Sequence, residues 1–420
     1  MPKMEHIEKL QSNKVKASEK EKNGEDAQNK KGAIIALASI PLVMTLGNSM
    51  LIPVLPAMEK QLHISSFQSS MILTVYSIVA ILLIPVAGLI SDHIGRKKVI
   101  IPSLIIAGIG GLLSGWAAWK MNDAYWLILV GRAIQGIGAA GASPIVMPLV
   151  GDMFKNEDEM STSLGIIETS NTFGKVLSPI LGSILAGFIW FLPFFSFPVF
   201  CIISIILMIF LVKTPNSEFE PVPIKQFFNN IKETFRNNGR WLLAIFIIGA
   251  ILMFVLFGVL FYLSDILEET YEIKNVKKGF FLAIPLGALC IASFLTGKFI
   301  KENKIIMKWL IFGGCVLLAA SIVILSFSDG LWFMIILFLF SGIGIGVGLP
   351  CLDTLITEGI DKQERGTITS IYSSMRFVGV AAGPPAIAVL MKHAEKSLFY
   401  LLSFLAIIAA IATFKAIKPD

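Results

Sequence analysis

Three ionisable residues stand inside segments that are otherwise apolar enough to cross a bilayer. Glu168 and Lys175 lie in the stretch 165–185, and Arg376 lies in a second apolar stretch near the C-terminus. In a helix, Glu168 and Lys175 are two turns apart, about 10 Å, and point the same way. A charge at bilayer depth costs about 2.5–3.5 kcal/mol or more, so this face cannot contact lipid. These residues predict an interior that holds water, counter-charges or a passing solute.

The composition is that of a helical membrane protein. Of 420 residues, 55% are hydrophobic and only 15% are charged, which is unlike a soluble protein of this length. The net charge of +6 falls mostly in one set of loops, so it indicates membrane orientation and no nucleic-acid partner. Single, scattered cysteines exclude a disulfide framework, and the four histidines lie in predicted tails or loops. No metal, cofactor or ATP-binding loop is predicted.

Apolar segments long enough to span a bilayer recur about twelve times. We predict these spans at residues 33–56, 68–90, 98–119, 125–150, 161–189, 193–213, 240–264, 279–300, 305–326, 331–353, 367–391 and 396–416. Basic residues are enriched after spans 2, 6, 8, 10 and 12, which predicts that both termini are cytoplasmic. The predicted organisation is a disordered tail at 1–31, a six-helix bundle at 32–213, a connector at 214–239 and a second six-helix bundle at 240–420.

The connector carries apolar residues at helical spacing, with basic residues between them. Ile224, Phe228 and Phe235 alternate with Lys225 and Lys232 in this way. The pattern predicts a basic amphipathic helix on the inner membrane face. A target for a calmodulin-like or other partner helix is the alternative.

The two halves of the chain repeat a pattern of small residues. Gly136, Gly138 and Pro144 recur 206 residues later in the tenth span, while Gly174 and Pro179 recur 205 residues later in the eleventh. A constant offset is hard to obtain by chance similarity between glycine-rich helices. It predicts two bundles related by an axis along the membrane normal, with a solute site between them. The glycine string 342–348 is interpreted as close helix packing.

Four motifs resemble the Major Facilitator Superfamily. The turn after span 2 has the spacing G-x-x-x-D-x-x-G-R-K, and span 4 carries an R-x-x-Q-G-x-G pattern that is similar to proton-coupled members. Span 5 is similar to the antiporter motif, although serine replaces two usual glycines, and the first span resembles twelve-span drug:proton antiporters. The motif residues are Gly88, Asp92, Gly95 and Arg96 in the turn, Arg132 and Gln135 in span 4, and Gly165, Gly174, Ser178, Pro179 and Gly182 in span 5, with Gly379, Gly383 and Pro384 as span-11 counterparts.

The resemblance implies a gate at the inner end. In relatives the loop Asp contacts the start of span 11, and the loop Arg pairs with an acid that ends span 4. The matching residues are Asp92, Arg96 and Asp152, and the implied latch is closed when the pore faces outward. Charges that pair in one state and separate in the other bias such an equilibrium.

Two further assignments concern buried polar groups. The resemblance implicates Arg132 in proton coupling, and a snorkelling interfacial residue is the alternative. We predict that Glu168 carries the proton, while Lys175 and Arg376 alternate between Glu168 and the substrate. Asn171 completes this face, and Arg376 stands near its repeat position. A static ion network that fastens the helices is the alternative.

The expected function is proton-coupled export of small amphiphilic molecules or drugs by alternating access. Many drug antiporters carry an acid in span 1, where this chain has Asn48, and two cations beside one acid suit an anionic solute. A dedicated exporter of an anionic metabolite such as a siderophore is therefore the alternative. A lipid-modifying membrane enzyme is a distant third, and a sensor is disfavoured. The expected protein is a monomer in the cell membrane, with its small-molecule substrate, protons and the lipid bilayer as partners.

Overall fold

The structure is a computed structural model that describes residues 30–154, 157–212, 224–300, 303–327, 330–360, 362–393 and 395–417. Within these ranges the chain is helical and contains no strand. The helices are α1 (30–49), α2 (Leu55–Leu62), α3 (Ser66–Ile94), α4 (Arg96–Lys120), α5 (Tyr125–Met153), α6 (Glu157–Phe188), α7 (Leu192–Leu211), α8 (Ile224–Glu269), α9 (Asn275–Phe299), α10 (Lys304–Ile324), α11 (Leu331–Gly359), α12 (Lys362–His393) and α13 (Glu395–Ala416).

Twelve spans result, because α1 and α2 form one span that is interrupted by a 3-10 turn at Ile52–Val54. Pro53 lies in this interruption and Pro56 in the first turn of α2, and the missing N–H groups of both prolines disfavour a helix that continues from α1. Eleven spans in the described part are long and apolar enough to cross a membrane. The exception is α6, whose polar face lowers its hydropathy. The predicted tail at 1–31 lies outside the described residues, except that residues 30 and 31 are already helical.

The spans form two six-helix bundles related by a pseudo-two-fold axis, as the repeat predicted. In the first bundle α5 packs on α3 and α4, and in the second α11 packs on α9 and α10. Glycines allow each approach, because a side chain there would collide with the neighbouring backbone. The contacts are Gly136 on Tyr76, Gly138 on Ser103, Gly342 on Pro285 and Gly344 on Gly314.

The same symmetry relates the packing of α6 on α1 to the packing of α12 on α8. A Cβ atom on Gly174 would meet Thr45, and one on Gly379 would meet Ala250, so both partners shift by 205 residues (174 to 379, 45 to 250). Ser178 donates its hydroxyl to the carbonyl of Gly174 at 2.6 Å, which satisfies this polar group inside the helix. Pro179 and Pro384 stand within α6 and α12, at equivalent positions.

Two further glycines of this motif also pack against neighbouring backbone. A Cβ on Gly182 would lie 2.1 Å from the carbonyl oxygen of Met50, and one on Gly383 would lie 2.7 Å from that of Phe254. The packing prediction is wrong for Gly165, which is exposed and where an added Cβ would have no described atom within 4 Å. The reason is that Gly165 lies on an exposed face of α6, next to the exposed Ile166.

The connector helix and the seventh span are one continuous helix, α8, rather than two elements. Within this helix the rings of Phe235 and Phe246 pack edge to face, with their centroids 6.0 Å apart. Residues 213–223 lie outside the described part of the chain.

The two bundles share a core at one end only. We call the end that holds residues 30, 212 and 224 the connector end, and the opposite one the far end. At the far end, one apolar cluster joins Leu51, Leu55 and Ile72 of the first bundle to the whole core of the second. At the connector end the first bundle has its own cluster, and among described residues Phe377 alone packs on it from the second bundle. The larger apolar contact between the bundles is therefore at the far end.

Candidate functional site

Lys175 is the centre of the site. Lys175 stands on α6, is only 7% exposed, and lines a pocket between the two bundles. The walls are otherwise mostly apolar and come from both bundles: Ser49, Ile52 and Pro179 from the first, and Leu256, Phe257, Leu260, Leu282 and Leu286 from the second. Within the described residues, the Lys175 ammonium makes no ion pair, although an isolated charge is costly to bury. The site thus presents a cation to an apolar cavity.

Glu168 lies two turns toward the connector end on the same helix. Its carboxylate accepts from the Asn171 amide, with Nδ2–Oε distances of 3.3 and 3.4 Å. Asn171 in turn accepts a hydrogen bond of 2.6 Å from the Thr45 hydroxyl on α1. No ion pair to Glu168 occurs among the residues that the structure describes. The predicted pairing of Glu168 with Lys175 or Arg376 is therefore not formed in this state.

Arg376 pairs with Asp353, a residue that the sequence analysis missed. Arg376 Nη1 lies 3.2 Å from Asp353 Oδ1, with the two side chains 15% and 24% exposed. The guanidinium also lies over the Tyr372 ring, 5.6 Å from its centroid. Asp353 is an acid within an apolar span, so the criterion that selected Glu168 would have found it.

The four charges form one electrostatic group. Lys175 and Glu168 of the first bundle are close enough to Asp353 and Arg376 of the second to interact with both. Two acids balance two bases, so the group is neutral when all four are ionised. The structure therefore brings Glu168, Lys175, Arg376 and Asn171 together between the two bundles.

Arg132 and Gln135 lie in a different network. Arg132 is fully buried on α5, and it donates to the carbonyls of Ile72 and Gly47 and to the side chains of Gln135 and Asn48, at 2.5–3.2 Å. The guanidinium also stacks on the Tyr76 ring at 4.5 Å. Snorkelling is wrong for this residue, since no part of it reaches the surface. The network ties α5 to α1 and α3 through neutral acceptors.

The turn between α3 and α4 places the predicted gate residues together. Arg96 pairs with Asp152 and, at 3.0 Å, with Asp92. Gly95 begins α4 with φ +100°, a conformation that favours glycine. A Cβ on Gly88 would lie 3.5 Å from the Ser370 hydroxyl of α12. The Arg96 pairs lie inside the first bundle and so do not by themselves join the two bundles.

A second set of ion pairs joins the bundles at the far end. Lys60 of α2 lies 2.7 Å from Glu269 and 3.2 Å from Glu268 of α8. Glu268 also pairs with the buried Lys278 of α9 at 2.6 Å. A Cβ on Gly279 would lie 2.5 Å from the Pro179 carbonyl, so α9 and α6 touch here as well.

Two bundles around a buried charged cavity define a membrane transporter, and the family comparison agrees. The family model of the Major Facilitator Superfamily matches residues 37–384 and 307–420, so the chain belongs to this superfamily. It is a multi-pass membrane transporter rather than an enzyme.

Similar proteins include exporters. The chain is 53% identical to "Bacillibactin exporter" of Bacillus subtilis (strain 168), over 90% of this chain and 94% of that protein. It is 26% identical to "Tetracycline resistance protein, class C" of Escherichia coli, over 84% and 88% of the two chains. Among solved structures, the human organic anion transporter MFSD10 (TETRAN) gives a TM-score of 0.73 at 16% identity, covering 91% of this chain and 99% of that one. At that identity the likeness concerns the fold alone.

Proposed function

We propose that this protein exports a small anionic amphiphile, with bacillibactin as the first candidate. The observation that carries the proposal is Lys175, a buried cation without a described ion-pair partner that faces an apolar cavity. An anionic group would supply its missing counter-charge, and the leucine-rich walls would hold the apolar part of the solute. The 53% identical exporter supports the same substrate class.

Transport proceeds by alternating access of the two bundles. The predicted orientation places both termini and the connector end in the cytoplasm of the cell membrane. In that orientation the far end, where the bundles share their apolar core, faces the outside of the cell. A solute enters from the connector end, and rocking of the bundles exposes it at the far end.

Protons moving inward are the proposed energy source, with Glu168 as their carrier. Its carboxylate is half-buried in the passage and is bound only by the Asn171 amide among described partners, so gain of a proton breaks no ion pair there. Gain or loss of that proton changes the charge that Lys175 and Arg376 experience.

Counterflow in proteoliposomes tests substrate and mechanism together. Vesicles loaded with unlabelled bacillibactin should accumulate labelled bacillibactin when they contain the wild-type protein, and empty vesicles should not. Absence of counterflow in well-folded protein would contradict the proposed substrate. Tetracycline belongs in the same assay, because the 26% identical relative favours drug efflux as the second candidate.

The Glu168→Gln variant distinguishes proton coupling from substrate binding. We expect the variant to keep counterflow, which needs no proton movement, and to lose transport driven by an imposed pH gradient. Asp123→Asn, which removes an exposed far-end acid, is the matched control. Unchanged gradient-driven transport by Glu168→Gln would refute the role of this residue.

A further inference from the structure

Asp353 and Arg376 belong to the same bundle, on α11 and α12. Their ion pair therefore does not need to break when the bundles rock against each other. Lys175 and Glu168 stand on the opposite bundle. An intra-bundle pair is suited to holding a side chain in position rather than to opening and closing a gate.

The geometry leaves part of Arg376 available. One described hydrogen bond, from Nη1, goes to Asp353, while the Tyr372 ring supports the guanidinium plane. A guanidinium has five N–H donors in a rigid fork, so one nitrogen can be held while others face the passage. Glu168 is the other acid within electrostatic range of Arg376.

We propose that Asp353 is the positioning residue of the site: it retains Arg376 on the second bundle and prevents it from crossing to Glu168. Without Asp353, the buried guanidinium needs another counter-ion, and Glu168 is the acid that the group offers. Such a pair would join α6 to α12 across the passage. It would remove Arg376 from an anionic solute and Glu168 from proton exchange. This inference rests on the proposed function for its role in transport, but the pairing itself does not.

A double-mutant cycle without ligand tests the pairing. The apparent melting temperature of the purified full chain is measured for the wild type, Asp353→Asn, Glu168→Gln and the double variant. Glu168→Gln should have little effect in the wild type, and should lower the melting temperature when Asp353 is already replaced, because it then removes the new pair. If Glu168→Gln changed the melting temperature equally in the wild type and in Asp353→Asn, the proposal would be overturned. Combining Glu168→Gln with Asp123→Asn should be additive.

A second cycle covers the case in which Asp353→Asn does not fold. In the presence of Asp353, the effects of Arg376→Gln and Glu168→Gln should couple only weakly, since these residues are within electrostatic range of each other but form no ion pair. A coupling as strong as that of a buried ion pair would show that Arg376 already binds Glu168, which contradicts the proposal. Asp353→Glu keeps the carboxylate and should behave as the wild type in both cycles.

Bacillibactin binding tests the consequence for transport. Asp353→Asn should weaken binding about tenfold, and adding Glu168→Gln should restore it, because Arg376 then has no acid to cross to. Tighter binding by Asp353→Asn would show that Asp353 merely competes with the anion, and would overturn the positioning role. If the wild-type protein does not bind bacillibactin, the proposed substrate is wrong. The melting-temperature cycles still test whether Arg376 pairs with Glu168 when Asp353 is absent.

Discussion

At the scale of residues, a buried cation without an ion-pair partner and a buried cation surrounded by hydrogen-bond acceptors indicate different roles. Lys175 lies in an apolar cavity and forms no ion pair with a described residue, whereas Arg132 is surrounded by acceptors. Both are cations in apolar helices, and both were predicted to have functional roles. The surroundings of Arg132 suit the fastening of helices, whereas those of Lys175 support the proposal that it binds the solute.

Replacing Lys175 by Gln should weaken binding of bacillibactin about tenfold or more, because a charge-assisted contact becomes a neutral one. Equilibrium binding to purified protein measures this effect. Lys120→Gln is the matched control, since Lys120 is exposed and lies over the Trp119 ring. Equal affinity of Lys175→Gln and wild type would remove Lys175 from the binding site.

Replacing Arg132 by Met should destabilise the protein by on the order of 3 kcal/mol, because several buried acceptors lose their donor together. Thermal unfolding in detergent measures the loss. A variant that kept its stability but lost gradient-driven transport would instead support the proton-coupling role that the family resemblance implies for Arg132.

At the scale of elements, the glycines of α6 differ along the helix. Gly182 permits contact with the backbone of α1, while Gly165 faces open space in the described part. The same motif therefore contains one glycine that close helix packing requires and one that a larger residue could replace. The residue type alone does not distinguish the two positions.

Gly182→Ala should cost about 1–3 kcal/mol, because its Cβ would overlap the Met50 carbonyl and push α6 from α1. Gly165→Ala should be neutral or stabilise by up to about 1 kcal/mol, since alanine favours the helix. Parallel melting curves of the two variants provide the comparison. A stable Gly182→Ala protein would show that this approach of the helices is not required.

At the scale of the whole molecule, the bundles are held together at the far end. The shared apolar core supplies contact area, and Lys60 adds a charged link to Glu268 and Glu269. Lys60 is half exposed, so its pairs contribute only about 0.2–1 kcal/mol. That amount changes the ratio of two conformations by about 1.4-fold to fivefold.

Lys60→Glu should shift the molecule toward a state that is open at the far end, because it places a fifth acid beside Glu59, Asp265, Glu268 and Glu269. Hydrogen–deuterium exchange of the full chain in nanodiscs should show faster uptake at residues 50–62 and 263–275. Lys120→Glu, at the same end but without a described ion pair, should leave uptake there unchanged. Faster uptake in both variants would indicate a general charge effect rather than a gate.

The number of spans and the repeat followed from the sequence, since a bilayer demands about twenty apolar residues per helix and bundle symmetry keeps a constant offset. The same reasoning located Glu168, Lys175 and Arg376, because charges in apolar helices must face an interior. The tertiary structure decided the pairing, since ion pairs depend on distances between helices that are remote in sequence. Only the fold shows that Arg376 binds Asp353, that Arg132 is satisfied by neutral groups, and that the larger apolar contact between the bundles is at the far end.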